Sequence, residues 1–129
     1  MKVSARRRKG YAHTVTFEHH TLIADEPEEA GGADTGPRPT AVLAMSLAAC
    51  TAVTVEMYAD RKRWDVGDLE VEVDYQLEPK ATSRFDVTLK LPTELSDEQT
   101  DRLREIAGKC PVHRVLMGDV EITDRVEPV

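Results

Sequence analysis

The sequence predicts an α+β fold built as a single domain. Stretches in which apolar and polar residues alternate lie on both sides of one long apolar run, and a charged, capped helix follows them. This order of strands, helix, strands, helices and a final strand is typical of antiparallel sheets packed against helices. At 129 residues, one domain covering residues 1–129 is expected.

Three short strands are predicted before the apolar run. Tyr, His, Val and Phe occupy alternate positions from Tyr11 to Phe17, which is typical of a strand. Val3–Arg8 is expected to form the strand before it and Thr21–Ala24 the strand after it, which together give an antiparallel sheet. Asp25–Arg38 is rich in glycine, proline and acidic residues, and a loop is expected there.

The apolar run predicts a long helix. Pro39 and Thr40 suit its first turn, because proline is favoured there and threonine can cap it. From Ala41 to Val55 the helix is apolar almost all the way round, so protein is expected to cover both of its sides. This stretch is shorter than the roughly 20 residues of a membrane span, so a buried core helix that ends before Val66 is favoured over a membrane segment.

Two strands, two helices and a last strand are predicted after the long helix. Leu69–Leu77 and Phe85–Leu91 alternate apolar and polar residues and are expected to pair as a hairpin. Ser96-Asp-Glu-Gln99 is a capping box that begins a helix, and Pro111 begins a shorter one. The pattern from Val120 to Val126 predicts the final strand.

Composition excludes several classes of function. The chain has 17 basic and 24 acidic residues and a net charge of −7, which argues against nucleic acid as a partner because phosphate binding needs a basic surface. The basic run Arg6–Lys9 is interpreted as a solvated strand, or as a strand with one arginine turned towards an anionic site. No secretory signal, membrane span, metal-binding spacing or cofactor motif is apparent, so a cytoplasmic protein with reduced thiols is expected.

The two cysteines are the candidate reactive residues. Cys50 lies within the apolar helix, where burial is expected to raise its thiol pKa above the usual value of about 8.5. Cys110 precedes Pro111 at a predicted helix start, where amide dipoles lower a thiol pKa. If folding brings them together, they can act as attacking and resolving thiols. The alternatives are a small buried apolar residue for Cys50 and a helix cap for Cys110.

Three segments of the chain resemble the OsmC/Ohr family of osmotically inducible and organic-hydroperoxide-resistance proteins. They are Gly36-Pro-Arg-Pro-Thr-Ala-Val-Leu with Cys50 downstream in Ser-Leu-Ala-Ala-Cys-Thr-Ala, Met57-Tyr-Ala-Asp-Arg-Lys-Arg-Trp with the strand after it, and Lys109-Cys-Pro-Val-His-Arg-Val-Leu. With the strands between them, the resemblance covers Tyr11 to Val126. Within the family it is nearest to the OsmC-like branch.

The resemblance implies a fold, an assembly and an activity. It implies antiparallel sheets wrapped around a long buried central helix, an intertwined homodimer, and active sites at the subunit interface. It also implies a thiol-dependent peroxidase, in which Cys50 attacks an organic hydroperoxide and Cys110 resolves the product as a disulfide. A dithiol reductant, either a lipoyl group or a small thiol, would restore the pair. Arg8 or Arg38 would supply the positive charge that activates Cys50.

One position departs from the family pattern. The family places a glutamate early in the central helix after a proline, where this chain has Thr40 and Ala41. Glu56 cannot replace it, because six residues turn it about 240° round the helix from Cys50. His113 is a candidate proton carrier or a partly buried structural residue. Two other functions therefore stay open: a non-enzymatic dimer that binds a small apolar ligand, and a redox sensor.

Overall fold

The computed structural model describes residues 1–129 and contains five strands and three α-helices. Their bounds are β1 Ser4–Lys9, β2 Ala12–Phe17, β3 His20–Ala24, α1 Pro39–Lys62, β4 Glu70–Gln76, β5 Arg84–Lys90, α2 Asp97–Ala107 and α3 Pro111–Met117. The chain divides into two compact units, residues 1–46 and 47–129, and the long helix α1 begins in the first unit and ends in the second. The α+β class expected from the sequence is confirmed.

The first unit contains the predicted N-terminal sheet. Its three strands are antiparallel in the order β1-β2-β3. Ala5 on β1 lies opposite Val15 on β2, which lies opposite Leu22 on β3, so the three side chains share one face of the sheet. The register of β1 shifts between Arg7 and Lys9, just before the turn into β2.

The loop between β3 and α1 is organised around Asp25, which is buried. Its carboxylate accepts hydrogen bonds from the backbone N–H groups of Glu26, Ala33 and Thr35 and from the Thr35 hydroxyl, at 2.7 to 3.3 Å. The bonds from Thr35 are the main reason that the pKa of Asp25 falls to about 2. The loop predicted from the sequence is therefore a fixed structure, and it includes a short 3-10 helix at Glu28–Ala30.

The second unit is built around the C-terminal half of α1. Val55 and Ala59 on α1 form a buried cluster with Val66, with Leu103 on α2 and with Ala107. The helix α2 begins at the predicted capping box, in which Ser96 and Gln99 each bond the backbone of the other. Strands β4 and β5 pair as the expected antiparallel hairpin.

The long helix α1 is covered on one side only within the chain. Its buried residues recur at helical spacing on one stripe: Ala44, Leu47, Thr51, Val55 and Ala59. Large apolar residues elsewhere on the helix are exposed: Leu43, Met45, Val53 and Met57. By length and composition α1 resembles a membrane span, with a mean hydropathy of 1.6, although its strictly apolar part is short for one. The sequence predicts that protein covers both sides of α1. Within this chain, one of these sides stays exposed.

The strand predicted at Val120–Val126 is wrong. No strand follows α3, and Val120, Ile122 and Val126 are exposed. The alternating pattern is present, but a strand also needs a neighbour that accepts and donates its backbone hydrogen bonds, and no other strand of the chain pairs with this segment.

Candidate active site

The fold brings Cys50 and Cys110 together within the second unit. Cys50 lies on α1 and is partly exposed, whereas Cys110 precedes α3 and is fully buried. Each thiol is among the causes of the other's pKa shift, so the two side chains lie close together. Both cysteines are in the reduced state. The pair is thus close enough to interact directly, which is the arrangement that a disulfide cycle needs.

Cys110 is the N-cap residue of α3. Pro111 occupies the first helical position, and the Cys110 sulfur accepts a hydrogen bond of 3.3 Å from the backbone N–H of His113. Burial opposes the charged thiolate, but the effects of Cys50, the backbone N–H of His113, Thr51 and the backbone N–H of Val112 together outweigh it, so the pKa of Cys110 is lowered. The His113 N–H that caps the Cys110 sulfur is therefore also one of the groups that lower its pKa.

The pKa of Cys50 is shifted in the opposite direction. Burial is the largest cause that raises it, and the hydrogen bond with Cys110 raises it further. The Val112 N–H and the Thr54 hydroxyl act against these two effects, but the pKa of Cys50 stays above its ordinary value. The lowered pKa of Cys110 and the raised pKa of Cys50 favour a thiolate on Cys110 over one on Cys50.

Two threonines near the thiols were missed in the sequence. Thr51 is 1% exposed, its hydroxyl has no nitrogen or oxygen partner, and it contributes to the lowered pKa of Cys110. Thr54 stands four residues after Cys50, which places both on one face of α1, and this spacing could have identified it. His113 contributes to the site through its backbone N–H, which donates to the Cys110 sulfur. The identity of its side chain gave no sign of this hydrogen bond.

The other predicted site residues belong to the first unit. Arg8 lies on the exposed strand β1, and Arg38 forms an ion pair of 3.7 Å with Glu29. The activation of Cys50 by either arginine stays a prediction. The first turn of α1 contains Thr40 and no acidic residue, as the sequence indicated. No group of three or more histidine, cysteine or acidic side chains is placed to share a metal ion.

Replacing Cys110 by alanine is expected to lower the pKa of Cys50. The substitution removes a hydrogen bond and a neighbouring negative charge that both raise this pKa, while burial, the largest cause, remains. The rate of Cys50 alkylation by iodoacetamide, followed against pH, should therefore rise at a lower pH in Cys110→Ala than in the wild type. A profile unchanged by the substitution would contradict the coupling.

Solved structures with the same fold come from several bacteria. An OsmC-like protein from Mycoplasma pneumoniae is 20% identical, with a TM-score of 0.77 over 91% of this chain and 86% of that one. An organic hydroperoxide resistance protein from Legionella pneumophila is 22% identical, with a TM-score of 0.63 over 92% and 90%. OhrB of Bacillus subtilis, also an organic hydroperoxide resistance protein, is 22% identical, with a TM-score of 0.59 over 94% of each chain.

The family comparison agrees with the structural one. No curated protein matches this chain. The model of the OsmC-like protein family matches residues 31–124, which is most of the sequence and includes Cys50 and Cys110. The match to the family model, together with the shared fold, shows that the chain belongs to the OsmC-like family.

Proposed function

We propose that the chain is a thiol-dependent peroxidase that reduces organic hydroperoxides, as part of a response to oxidative stress. The observation that carries this proposal is the proximity of the Cys50 and Cys110 thiols, which shift each other's pKa in opposite directions. The names of two solved structures with this fold, both organic hydroperoxide resistance proteins, support the choice of substrate. A merely structural pair of buried cysteines would not need a donor network that favours a thiolate.

The proposed cycle begins with proton transfer between the thiols. Cys50 gives its proton to the Cys110 thiolate, and its sulfur attacks the distal oxygen of the hydroperoxide. The O–O bond breaks, Cys50 becomes a sulfenic acid, and the alkoxide takes a proton from Cys110 to leave as the alcohol. The proximity of the two thiols gives this proton a short path. Cys110 would therefore act as the proton acceptor in a chain that lacks the family's glutamate.

The cycle closes through a disulfide. The Cys110 thiolate attacks the sulfenic sulfur of Cys50, the S–S bond forms, and the released hydroxide is protonated to water. A dithiol, either a lipoyl group or a small thiol, then reduces the disulfide by exchange. Both steps need a compartment that keeps thiols reduced, so we place the protein in the cytoplasm.

One equivalent of cumene hydroperoxide is expected to oxidise the reduced protein completely. Two thiols per chain should be lost, and the intact mass should fall by two hydrogen atoms as Cys50 and Cys110 form a disulfide. Hydrogen peroxide should react more slowly, because the apolar residues Leu47 and Val53 lie three positions before and after Cys50 on α1, on the same side of the helix. The measurement is a stopped-flow thiol titration followed by mass spectrometry of the linked peptides.

Three outcomes of this experiment are decisive. Equal rates for cumene hydroperoxide and hydrogen peroxide would contradict the organic substrate. Thiols that remain free after treatment would contradict the cycle. A disulfide that forms once, but is not reduced and turned over when a dithiol is supplied, would point to the redox sensor instead of the enzyme.

We also propose that a second copy of the chain covers the exposed part of α1. Val53 is 55% exposed and Met57 is 60% exposed, and neighbouring exposed residues on this helix are also apolar. Exposed apolar patches of this kind mark interaction surfaces in soluble proteins. The homodimer implied by the family resemblance would supply the cover that one chain lacks.

Substituting Val53 by aspartate is expected to convert the dimer to a monomer. The new carboxylate would be buried without a partner in the interface, which costs several kcal/mol. Light scattering coupled to size-exclusion chromatography should show the mass of two chains for the wild type and of one chain for Val53→Asp. Ala81→Asp, in the exposed turn between β4 and β5, is the matched control and should leave the dimer intact. A monomeric wild type would refute the proposal.

A further inference from the structure

A cavity of about 310 Å³ lies within the first unit and is separate from the cysteine pair. Ala5, Val15 and Leu22 line it from one row across the sheet, and Pro39 and Val42 line it from the start of α1. Its volume is at the lower end of the range for small-molecule sites, and most of its lining is apolar, as in such sites.

One carboxylate oxygen at this cavity has no partner. The Glu26 side chain lines the cavity, and its Oε2 atom is buried without any hydrogen bond. Glu26 takes part in none of the ion pairs of the chain. Burying a polar atom in this way costs free energy, and nearly all such atoms in folded proteins are paired. A ligand that donates a hydrogen bond to Glu26 would remove this cost.

The backbone holds Glu26 firmly in place. Its N–H donates to the Asp25 carboxylate at 2.7 Å, and its carbonyl accepts from the N–H of Asp34 at 3.1 Å. Gly32 packs so closely that a Cβ atom there would lie 1.9 Å from the Glu26 carbonyl oxygen. The carboxylate is therefore carried by a rigid loop, which is a feature of a preorganised binding group.

The other polar groups of the cavity are mainly acceptors. His13 Nδ1 donates to the carbonyl oxygen of Tyr11 at 2.8 Å, so this N–H group is not free to bind a ligand. Asp25 also lines the cavity, and its low pKa of about 2 keeps it ionised at neutral pH. Arg7 shares a sheet face with His13, but its Nε donates to the Gly10 carbonyl. The cavity lining thus contains two acidic side chains, Asp25 and Glu26, and no lysine or arginine.

We propose that this cavity binds a small organic ammonium ion with an aliphatic body. The ammonium group donates to Glu26 Oε2, and the hydrocarbon part contacts the apolar walls formed by Val15, Leu22 and Val42. A charged donor is favoured over a neutral one, because charge-assisted hydrogen bonds are about twice as strong as neutral ones. This site does not depend on the thiol chemistry proposed above.

Isothermal titration calorimetry of the reduced wild-type protein at neutral pH tests the proposal with three probes of one shape: cyclohexylamine, cyclohexanol and cyclohexanecarboxylate. The amine is expected to bind saturably and about tenfold more tightly than the alcohol, and the carboxylate is not expected to bind. Glu26→Gln should remove the preference for the amine. Glu28→Gln is the matched control, because Glu28 is an exposed acid of the same loop, and it should keep the preference.

A second variant keeps the proposal testable if Glu26→Gln does not fold, as judged by circular dichroism. Val42→Phe fills the cavity from α1 and leaves Glu26 in place, so it should abolish binding of the amine. Equal affinities for the amine and the alcohol, or an amine preference that survives Glu26→Gln, would overturn the proposal. The proposal would also be overturned if the wild type did not bind the amine saturably. This holds even if a second copy of the chain occupies the cavity.

Discussion

Cys50→Ser is expected to reduce the turnover of cumene hydroperoxide to the rate of the dithiol alone. A hydroxyl has no accessible anionic form near neutral pH and cannot become a sulfenic acid, so the first step of the proposed cycle is lost entirely. The measurement is peroxide consumption in the presence of a dithiol, with the wild type and the variant at equal concentration. Residual turnover close to the wild-type rate would assign the attack to Cys110.

Cys110→Ser is the informative control for this prediction. Cys50 keeps its sulfur in this variant and can still react with one equivalent of peroxide, but no resolving thiol remains. Its sulfenic acid should therefore accumulate and be trapped by dimedone, whereas Cys50→Ser should give no adduct. Adduct formation on Cys110 rather than on Cys50 in the wild type would reverse the roles proposed for the two residues.

Leu103→Ala is expected to lower the free energy of unfolding by about 2–5 kcal/mol, the usual range for a buried leucine. Leu103 is fully buried on α2 and packs with Val55 and Ala59 of α1. The substitution removes apolar contacts and leaves a cavity between two helices that cannot readily move together. Urea denaturation followed by circular dichroism would measure the change.

Arg104→Ala is the matched control on the same helix. Arg104 is largely exposed, and its ion pair with Asp101 is long, at 3.5 Å, so its loss should leave the free energy of unfolding nearly unchanged. Both variants place an alanine in α2, so helix propensity differs little between them. If the two variants had the same stability, Leu103 would not be the packing residue that the structure indicates.

Most of the fold could be predicted because its signals are local. Alternation located the hairpin of β4 and β5, the Ser96–Gln99 pattern located the start of α2, and Pro111 located the start of α3. Each depends on residues a few positions apart, which a sequence displays directly. The strand predicted at 120–126 was wrong because the alternating pattern is local, whereas a strand also requires a pairing partner from elsewhere in the fold.

The candidate site was only partly predictable. The two cysteine contexts pointed to a pair of thiols that the fold does bring together, and the expected directions of both pKa shifts agree with the structure; the reactivity of the pair stays a prediction. Thr51 and the backbone N–H of Val112 could not be found, because their effect depends on how α1 and α3 pack. Glu26 was also missed, because an acid in a polar loop gives no sign that one of its oxygens is buried.

The loop that carries Glu26 also limits how this protein can be redesigned. A Cβ at Gly32 would lie 1.9 Å from a backbone oxygen, and one at Gly36 would lie 2.1 Å from the Ile23 carbonyl oxygen, so neither position accepts a side chain. Mutant libraries that aim at new ligand preferences should therefore vary the strand positions Val15 and Leu22. Within the loop, such libraries should keep Gly32 and Gly36.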